Sequence, residues 1–291
     1  MNKRLALGTA QFGLPYGIAN MSGQVNHVEV EAILTEAWEA GVDTLDTAIA
    51  YGNSEERLGA IGVDQWKLVS KLPEIPENCK DVAGWVENMV TGSLKRLKIP
   101  RLYGLLLHRP EQLLSSQGEV LYVALKKLQD QKLVQKIGIS IYGPSELDKL
   151  GSTYQFDLVQ APLNVLDRRM IDSGWLLRLS NAETEIHTRS VFLQGLLLMD
   201  SEKRPKEFDK WKSSLDRWDR WLMDQEIEPV QACLASSFAQ PEVGRIVIGT
   251  DSLEHLQGIL ANTGGLVELP PKFLMSEDLD LINPSRWSSF L

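Results

Sequence analysis

Eight short apolar runs recur along the chain, separated by polar turns and longer amphipathic stretches. They fall at 4–8, 44–46, 67–71, 102–108, 136–140, 158–160, 185–188 and 245–249. Runs this short and this continuously apolar predict strands covered on both faces. The segments between them have helical spacing. Segment 28–40 places Val30, Ile33, Leu34 and Ala37 on one face, and Val82–Leu97 does the same with Val86, Met89, Val90, Ser93, Leu94 and Leu97. Segment 118–132 carries Val120, Leu121, Ala124, Leu125 and Leu128. Segment 252–260 opens on Ser252, a good helix cap, and carries Leu253, Leu256 and Leu260. Strand–helix alternation predicts a parallel sheet. Eight such units in 291 residues fit a closed (β/α)8 TIM barrel, whose usual length is about 250 residues. An open doubly wound sheet is the alternative, but Gly8-Thr9-Ala10-Gln11-Phe12-Gly13 after the first run lacks the expected Gly-x-Gly-x-x-Gly. No linker or shift in composition divides the chain, so residues 1–291 read as a single barrel domain.

One segment breaks the alternation, at 199–228 after the seventh run. Its first part, 200–205, reads as a polar loop. Its second part sets Trp211, Trp218 and Trp221, with Leu215 and Leu222, at helical spacing. These indoles are expected to pack that helix onto the barrel; lining a pocket is the alternative use.

A net charge of -9 disfavours nucleic acid or an anionic membrane as the main partner. Two cysteines, Cys79 and Cys233, stand far apart and outside any ligand-spaced cluster, so no metal site is expected. Met1-Asn2-Lys3-Arg4 leads straight into a strand-like run, with no secretory signal. No run approaches the roughly 20 apolar residues of a membrane span. A cytoplasmic protein acting on a small molecule is the expectation.

Four polar residues stand at or just beyond successive strand ends: Asp46, Tyr51, Lys71 and His108. In a parallel barrel such ends converge on one mouth, with neighbouring strands about 4.8 Å apart. A tyrosine keeps its proton at neutral pH, and a lysine cation beside it makes the phenolate easier to form. Tyr51 can therefore give a proton to a developing alkoxide. Asp46 can hold the Lys71 ammonium in place, and His108 can donate to the same carbonyl oxygen. None of these groups carries electrons, so reduction requires a hydride-donating cofactor.

With those residues in place, the chain resembles the aldo-keto reductase superfamily. Asp46-Thr47-Ala48-x-x-Tyr51-Gly52 is similar to the family's second-strand signature, and Lys71 and His108 fall where its catalytic lysine and histidine would. The resemblance implies an NADP(H) or NAD(H) cofactor lying across the strand ends and a small carbonyl substrate. It implies Tyr51 as general acid, with Asp46 and Lys71 tuning it and His108 orienting the carbonyl. It further implies that Gly8, Thr9 and Ala10 lie beside the nicotinamide, and that Ser140 and Gln160 bind its carboxamide. Ile141 stands where relatives often have asparagine. Arg189-Ser190-Val191-Phe192-Leu193-Gln194-Gly195 stands where relatives show Tyr-Ser-Pro-Leu. Arg189 thus replaces a stacking aromatic; it can stack by its guanidinium plane or pair with the pyrophosphate, which Ser190, Phe192, Gln194 and Gly195 would also approach.

Gly249, Thr250, Asp251 and His255 match the segment that meets the far end of the cofactor. Relatives that prefer NADP(H) commonly carry cations near 249 or 251 and near 255. A carboxylate repels a 2′-phosphate but accepts from a ribose hydroxyl, so NAD(H) is expected to be tolerated or even preferred. The alternative is that Asp251 faces solvent and another cation, such as Arg245, serves the phosphate. The leading reading is an NAD(P)H-dependent carbonyl reductase; the alternative is a non-catalytic nicotinamide-binding sensor or partner subunit on the same barrel. For the pocket, Tyr16, Trp85 and Arg109 are candidates. Arg109 suits an anionic or sugar-like substrate, though a surface salt bridge is its more ordinary use. The short ending after Asn283 predicts an open site of broad specificity.

Overall fold

The computed structural model describes residues 2–20, 22–264 and 268–290. Eight parallel strands close into a barrel in chain order. They are β1 Leu5–Gly8, β2 Thr44–Asp46, β3 Lys67–Leu72, β4 Leu102–Leu107, β5 Val134–Ser140, β6 Leu158–Pro162, β7 Glu185–Arg189 and β8 Arg245–Gly249. Each sequence-predicted run is one of these strands, with ends differing by at most two residues. Arg4 is a difference with a clear cause. It lies in a short 3-10 turn, and its guanidinium donates to the carbonyls of Phe238, Gln240 and Val243. It ties the chain start to the end of the helix Pro229–Phe238 instead of extending β1.

Outer helices return the chain after each strand. His27–Glu39, Val82–Leu97, Gly118–Asp130 and Leu253–Ala261 occupy the four segments with helical spacing. Their apolar stripes are buried, including Val30, Ile33, Leu34 and Ala37 on the first helix. Val120 is the exception to the expected stripe: it is exposed, because Gly118–Asp130 seats Leu121, Ala124, Leu125 and Leu128 on the barrel and turns Val120 outward. The Ser252 hydroxyl accepts from the His255 amide, capping the last of these helices. In the departure after β7, Lys212–Gln225 is a helix that buries Leu215, Trp218, Trp221 and Leu222. Trp218 and Trp221 stack at 5.7 Å, and Trp218 Nε1 donates to the Leu197 carbonyl at 3.0 Å. The indoles are packing residues, the expected role. Among the described residues no helix is long and apolar enough to cross a membrane.

Candidate active site

Parallel strands put their C-terminal ends on one face, and the polar residues sit there. Asp46 ends β2, Lys71 is one residue short of the end of β3, and His108 follows β4 directly. Ser140 ends β5, Gln160 lies on β6, and Arg189 ends β7. Register keeps them level: Gly8 pairs with both Asp46 and Gly249, and Ser140 pairs with Gln160. Tyr51 lies on a turn beyond β2, with its amide on the Ala48 carbonyl and its carbonyl accepting from Ser54. Two glycines allow that turn to seat. Gly52 has φ +53, and a Cβ there would lie 2.3 Å from the Gly13 oxygen; a Cβ on Gly13 would lie 1.8 Å from the Tyr51 oxygen. All of these side chains meet one cleft of about 1030 Å³.

Lys71 is the hub of the inner end and is almost fully buried. Its Nζ donates to Asp46 Oδ1 at 2.6 Å, to the Thr47 carbonyl at 2.9 Å and to Tyr51 Oη at 3.5 Å. Asp46 Oδ2 accepts from Gln160 Nε2 at 2.7 Å, and Gln160 Oε1 accepts from Ser140 Oγ at 3.2 Å. Burial pushes the Lys71 ammonium down, but Asp46 and then Tyr51 outweigh it and hold its pKa above the ordinary lysine value. The cation therefore persists without water. Tyr51 accepts from Lys71, which leaves its own O–H free to donate into the cleft. His108 meets the Tyr51 ring edge-on at 6.1 Å. Burial first, then the Lys71 and Arg189 cations, lowers His108 from 6.5 to about 4, with Asp46 opposing. At neutral pH it is an uncharged imidazole that can donate one hydrogen bond.

The sequence-predicted residues of the cofactor region also line this cleft: Gly8, Thr9, Ala10, Ser140, Gln160, Arg189, Ser190, Phe192, Gln194, Gly195, Gly249, Thr250, Asp251 and His255. The loop after β7 turns through positive φ at Ser190, Leu193, Gln194 and Gly195. It touches the loop after β1, where Gln194 Nε2 donates to Tyr16 Oη at 3.2 Å, so the two loops bridge the cleft. Thr9 is committed elsewhere: its hydroxyl donates to the Asp46 carbonyl and accepts from Ser54. Ile141 is fully buried, so the polar contact of an asparagine is absent there. The Arg189 guanidinium lies 4.9 Å from the centre of the Tyr142 ring and donates to the Ile141 carbonyl, bringing donors to the same wall.

Three expectations are corrected by placement. Arg245 starts β8 at the opposite end of the barrel, where it bonds Thr44 and Asp43, so it cannot reach the Asp251 end of the cleft. Trp85 packs in the helix Val82–Leu97 against the core and does not line the cleft. Arg109 forms no salt bridge among the described residues; its guanidinium stands 5.8 Å from the Tyr142 ring centre instead. Tyr142, Lys203 and Asn262 line the cleft without having been singled out. Tyr142 alone had a signal, its place two residues beyond Ser140.

The fit to an extended dinucleotide rests on the cleft's shape and its far end. Asp251 Oδ1 is buried with no hydrogen-bond partner of proper angle, although the His255 ring nitrogen touches it. Such an oxygen suits a hydroxyl donor. Gly258, also on the wall, has nothing within 4 Å of a hypothetical Cβ, so the cleft is open there. The lining of this cleft fits an extended nicotinamide dinucleotide.

Residues 4–270 match the sequence model of the aldo/keto reductase family. A D-threo-aldose 1-dehydrogenase from a Pseudomonas species is 27% identical over 250 residues, which are 74% of this chain and 76% of that protein. The aldo-keto reductase YhdN of Bacillus subtilis is 27% identical over 188 residues, 58% of this chain and 53% of that one. Among solved structures, the holo form of aldo-keto reductase AKR11C1 from Bacillus halodurans superposes with a TM-score of 0.71 at 16% identity, covering 91% of this chain and 88% of that one. A putative aldo-keto reductase from Pseudomonas aeruginosa gives 0.66 at 24% identity, covering 89% of each chain. These structures share the barrel fold, and the sequence match decides the family. The chain belongs to the aldo/keto reductase family and is an NAD(P)H-dependent oxidoreductase of carbonyl compounds.

Proposed function

We propose that this protein reduces an aldehyde or ketone with Tyr51 as the proton donor. The observation that carries the reading is the Lys71 ammonium held by Asp46 while it faces Tyr51 Oη. The nicotinamide, when bound, supplies the hydride. Tyr51 releases its proton to the carbonyl oxygen as that oxygen gains charge, and Lys71 stabilises the phenolate left behind until solvent restores the proton. Asp46 keeps Lys71 in register, and the uncharged His108 donates to the same oxygen and fixes its direction. Ser140 and Gln160 hold the carboxamide; doing so exchanges at least one bond of the chain that links them to Asp46. The related aldose dehydrogenase makes a sugar carbonyl a suitable first substrate class to assay.

Tyr51→Phe tests the acid. Aldehyde reduction should fall by about 10²- to 10⁴-fold while the dinucleotide still binds. Full turnover in that variant would remove Tyr51 from the role, and unchanged nucleotide binding with no turnover in the parent protein would favour a sensor.

For the cofactor, Asp251 supports NAD(H) over NADP(H). Its buried oxygen, which the His255 ring nitrogen touches, lies in the cleft wall, and a carboxylate there repels a 2′-phosphate. Lys203 also lines the cleft, and Asp200 already pairs with it at 2.6 Å. Fluorescence titration should give tighter binding of NADH than of NADPH; the reverse order by tenfold or more would reject the assignment.

A further inference from the structure

Arg189 lines the cleft beside His108, and the exposed Arg109 stands just outside that lining, near Tyr142. Arg109 follows His108 in sequence, and Arg189 reaches in from the end of β7. Their guanidinium carbons lie 5.8 and 4.9 Å from the centre of the Tyr142 ring. Both cations stand close enough to His108 to depress it. Among the described residues neither has a carboxylate within ion-pair distance, although both stand beside the Tyr142 ring. Arg189 uses two donors on Ser190 Oγ and the Ile141 carbonyl. The Arg109 side chain makes no hydrogen bond among the described residues.

An acid near Arg189, Glu146, has one oxygen committed elsewhere. That oxygen accepts from the Tyr142 and Gly143 amides at 2.6 and 2.9 Å. Arg169, itself paired with Asp167, donates to the Tyr142 carbonyl at 2.8 Å. The Tyr142 platform is thus fixed from behind, and the two guanidiniums on it keep donors to spare. In a chain of net charge -9, unpaired cations at the reaction mouth select for an anion. Guanidinium donors match carboxylate and phosphate oxygens in pairs.

We propose that the carbonyl substrate carries an anionic group, carboxylate or phosphate, which seats between Arg109 and Arg189 beside Tyr142. The proposal rests on the reductase reading above and names its substrate class. Neutral sugars would then be poor substrates compared with their acidic or phosphorylated counterparts.

The test compares matched aldehydes with the purified protein and its preferred dinucleotide. Glyceraldehyde against glyceraldehyde 3-phosphate probes phosphate, and butyraldehyde against succinic semialdehyde probes carboxylate. At least one anionic member should exceed its neutral partner tenfold or more in kcat/KM, mainly through KM, and the larger ratio identifies the group. Arg109→Gln should bring that ratio close to one, and Arg109→Lys should restore part of it. A ratio near one in the parent protein, or a ratio untouched by Arg109→Gln, overturns the proposal. Calorimetry with inorganic phosphate and with succinate separates this failure from a failure of the reductase reading. If no aldehyde is turned over, binding of either anion that weakens fivefold or more in Arg109→Gln still supports the subsite, and no binding of either overturns it.

Discussion

The mouth and the floor of this barrel each combine a carboxylate, a lysine, a tyrosine and a histidine, wired differently. At the mouth stand Asp46, Lys71, Tyr51 and His108; toward the floor stand Glu185, Lys136, Tyr103 and His187. At the mouth the lysine is the hub, and the tyrosine hydroxyl only accepts from it at 3.5 Å. At the floor the carboxylate is the hub. Glu185 accepts from Tyr103 Oη at 2.6 Å, from His187 Nε2 at 2.9 Å and from Lys136. Burial resists the charge on Glu185, but these three donors win and hold it well below the usual carboxylate range. Burial and the bond to Glu185 push Tyr103 up, so its proton is locked in place. One tyrosine is left free to give its proton away, and the other is not. In barrels of this class the C-terminal mouth carries chemistry and the opposite end carries stability. The hydrogen-bond direction at each tyrosine is the local form of that division.

Exchanging the two lysines for methionine gives the largest contrast. Lys71→Met strands the buried Asp46 with Gln160 as its side-chain partner, which should cost about 3–5 kcal/mol of stability. It should also cut turnover at least about 10²-fold, since the phenolate loses its counter-charge. Lys136→Met leaves Glu185 with Tyr103 and His187, so a loss of about 1–3 kcal/mol is expected, with kcat unchanged. Denaturant melts and steady-state rates on both variants check this. Comparable loss of turnover in the two would erase the distinction between the ends.

Acid should undo the two regions in different pH windows. The unfolded chain takes up the His108 proton near 6.5 and the folded chain only near 4, so the unfolded state binds more protons in between. Stability therefore falls as pH drops from about 6.5 to about 4. Glu185 works lower. Its folded value lies below the ordinary 4.5, so its contribution is complete above that pH and is lost as the pH falls further. Melting temperatures from pH 7 to 3 should flatten in the upper window for His108→Gln and in the lower one for Glu185→Gln. Identical slopes in all three proteins would contradict the assignment.

The mouth was far more legible in the sequence than the floor. Asp46, Tyr51, Lys71 and His108 lie at strand ends in consecutive units, and period alone places such ends on one face. The barrel itself follows from the same alternation, which located every strand. Tyr103, Lys136, Glu185 and His187 stand inside or at the start of strands, where a polar residue in an apolar run carries no mark of its partner. Their meeting depends on closure, which brings β4, β5 and β7 together across the barrel. Arg245 shows the same limit. Its place at the start of β8 directs it to the floor and Asp43, while sequence proximity to Asp251 suggested the cleft. Arg109 was ambiguous for another reason: whether an exposed arginine has an acid beside it is settled by neighbours on other units.

The smallest expected effect is the most specific to the comparison. Tyr103 presents its ring to Lys67 and Lys136, with their Nζ atoms 5.8 and 5.0 Å from its centre. Phenylalanine keeps that face, so Tyr103→Phe removes one donor from Glu185 and little else. Lys136 and His187 still satisfy the carboxylate, and the loss should be about 1 kcal/mol, near the worth of a single hydrogen bond. Turnover should stay at the parent level. Tyr51→Phe should do the converse, because its hydroxyl is held by one long contact to Lys71: melting stays within about 0.5 kcal/mol while reduction collapses. Measuring stability and rate on both variants places each tyrosine on one axis or the other. A stability loss above about 2 kcal/mol for Tyr51→Phe would show that the mouth, too, depends on its tyrosine for folding, and the division of labour between the two ends would be weaker than their wiring implies.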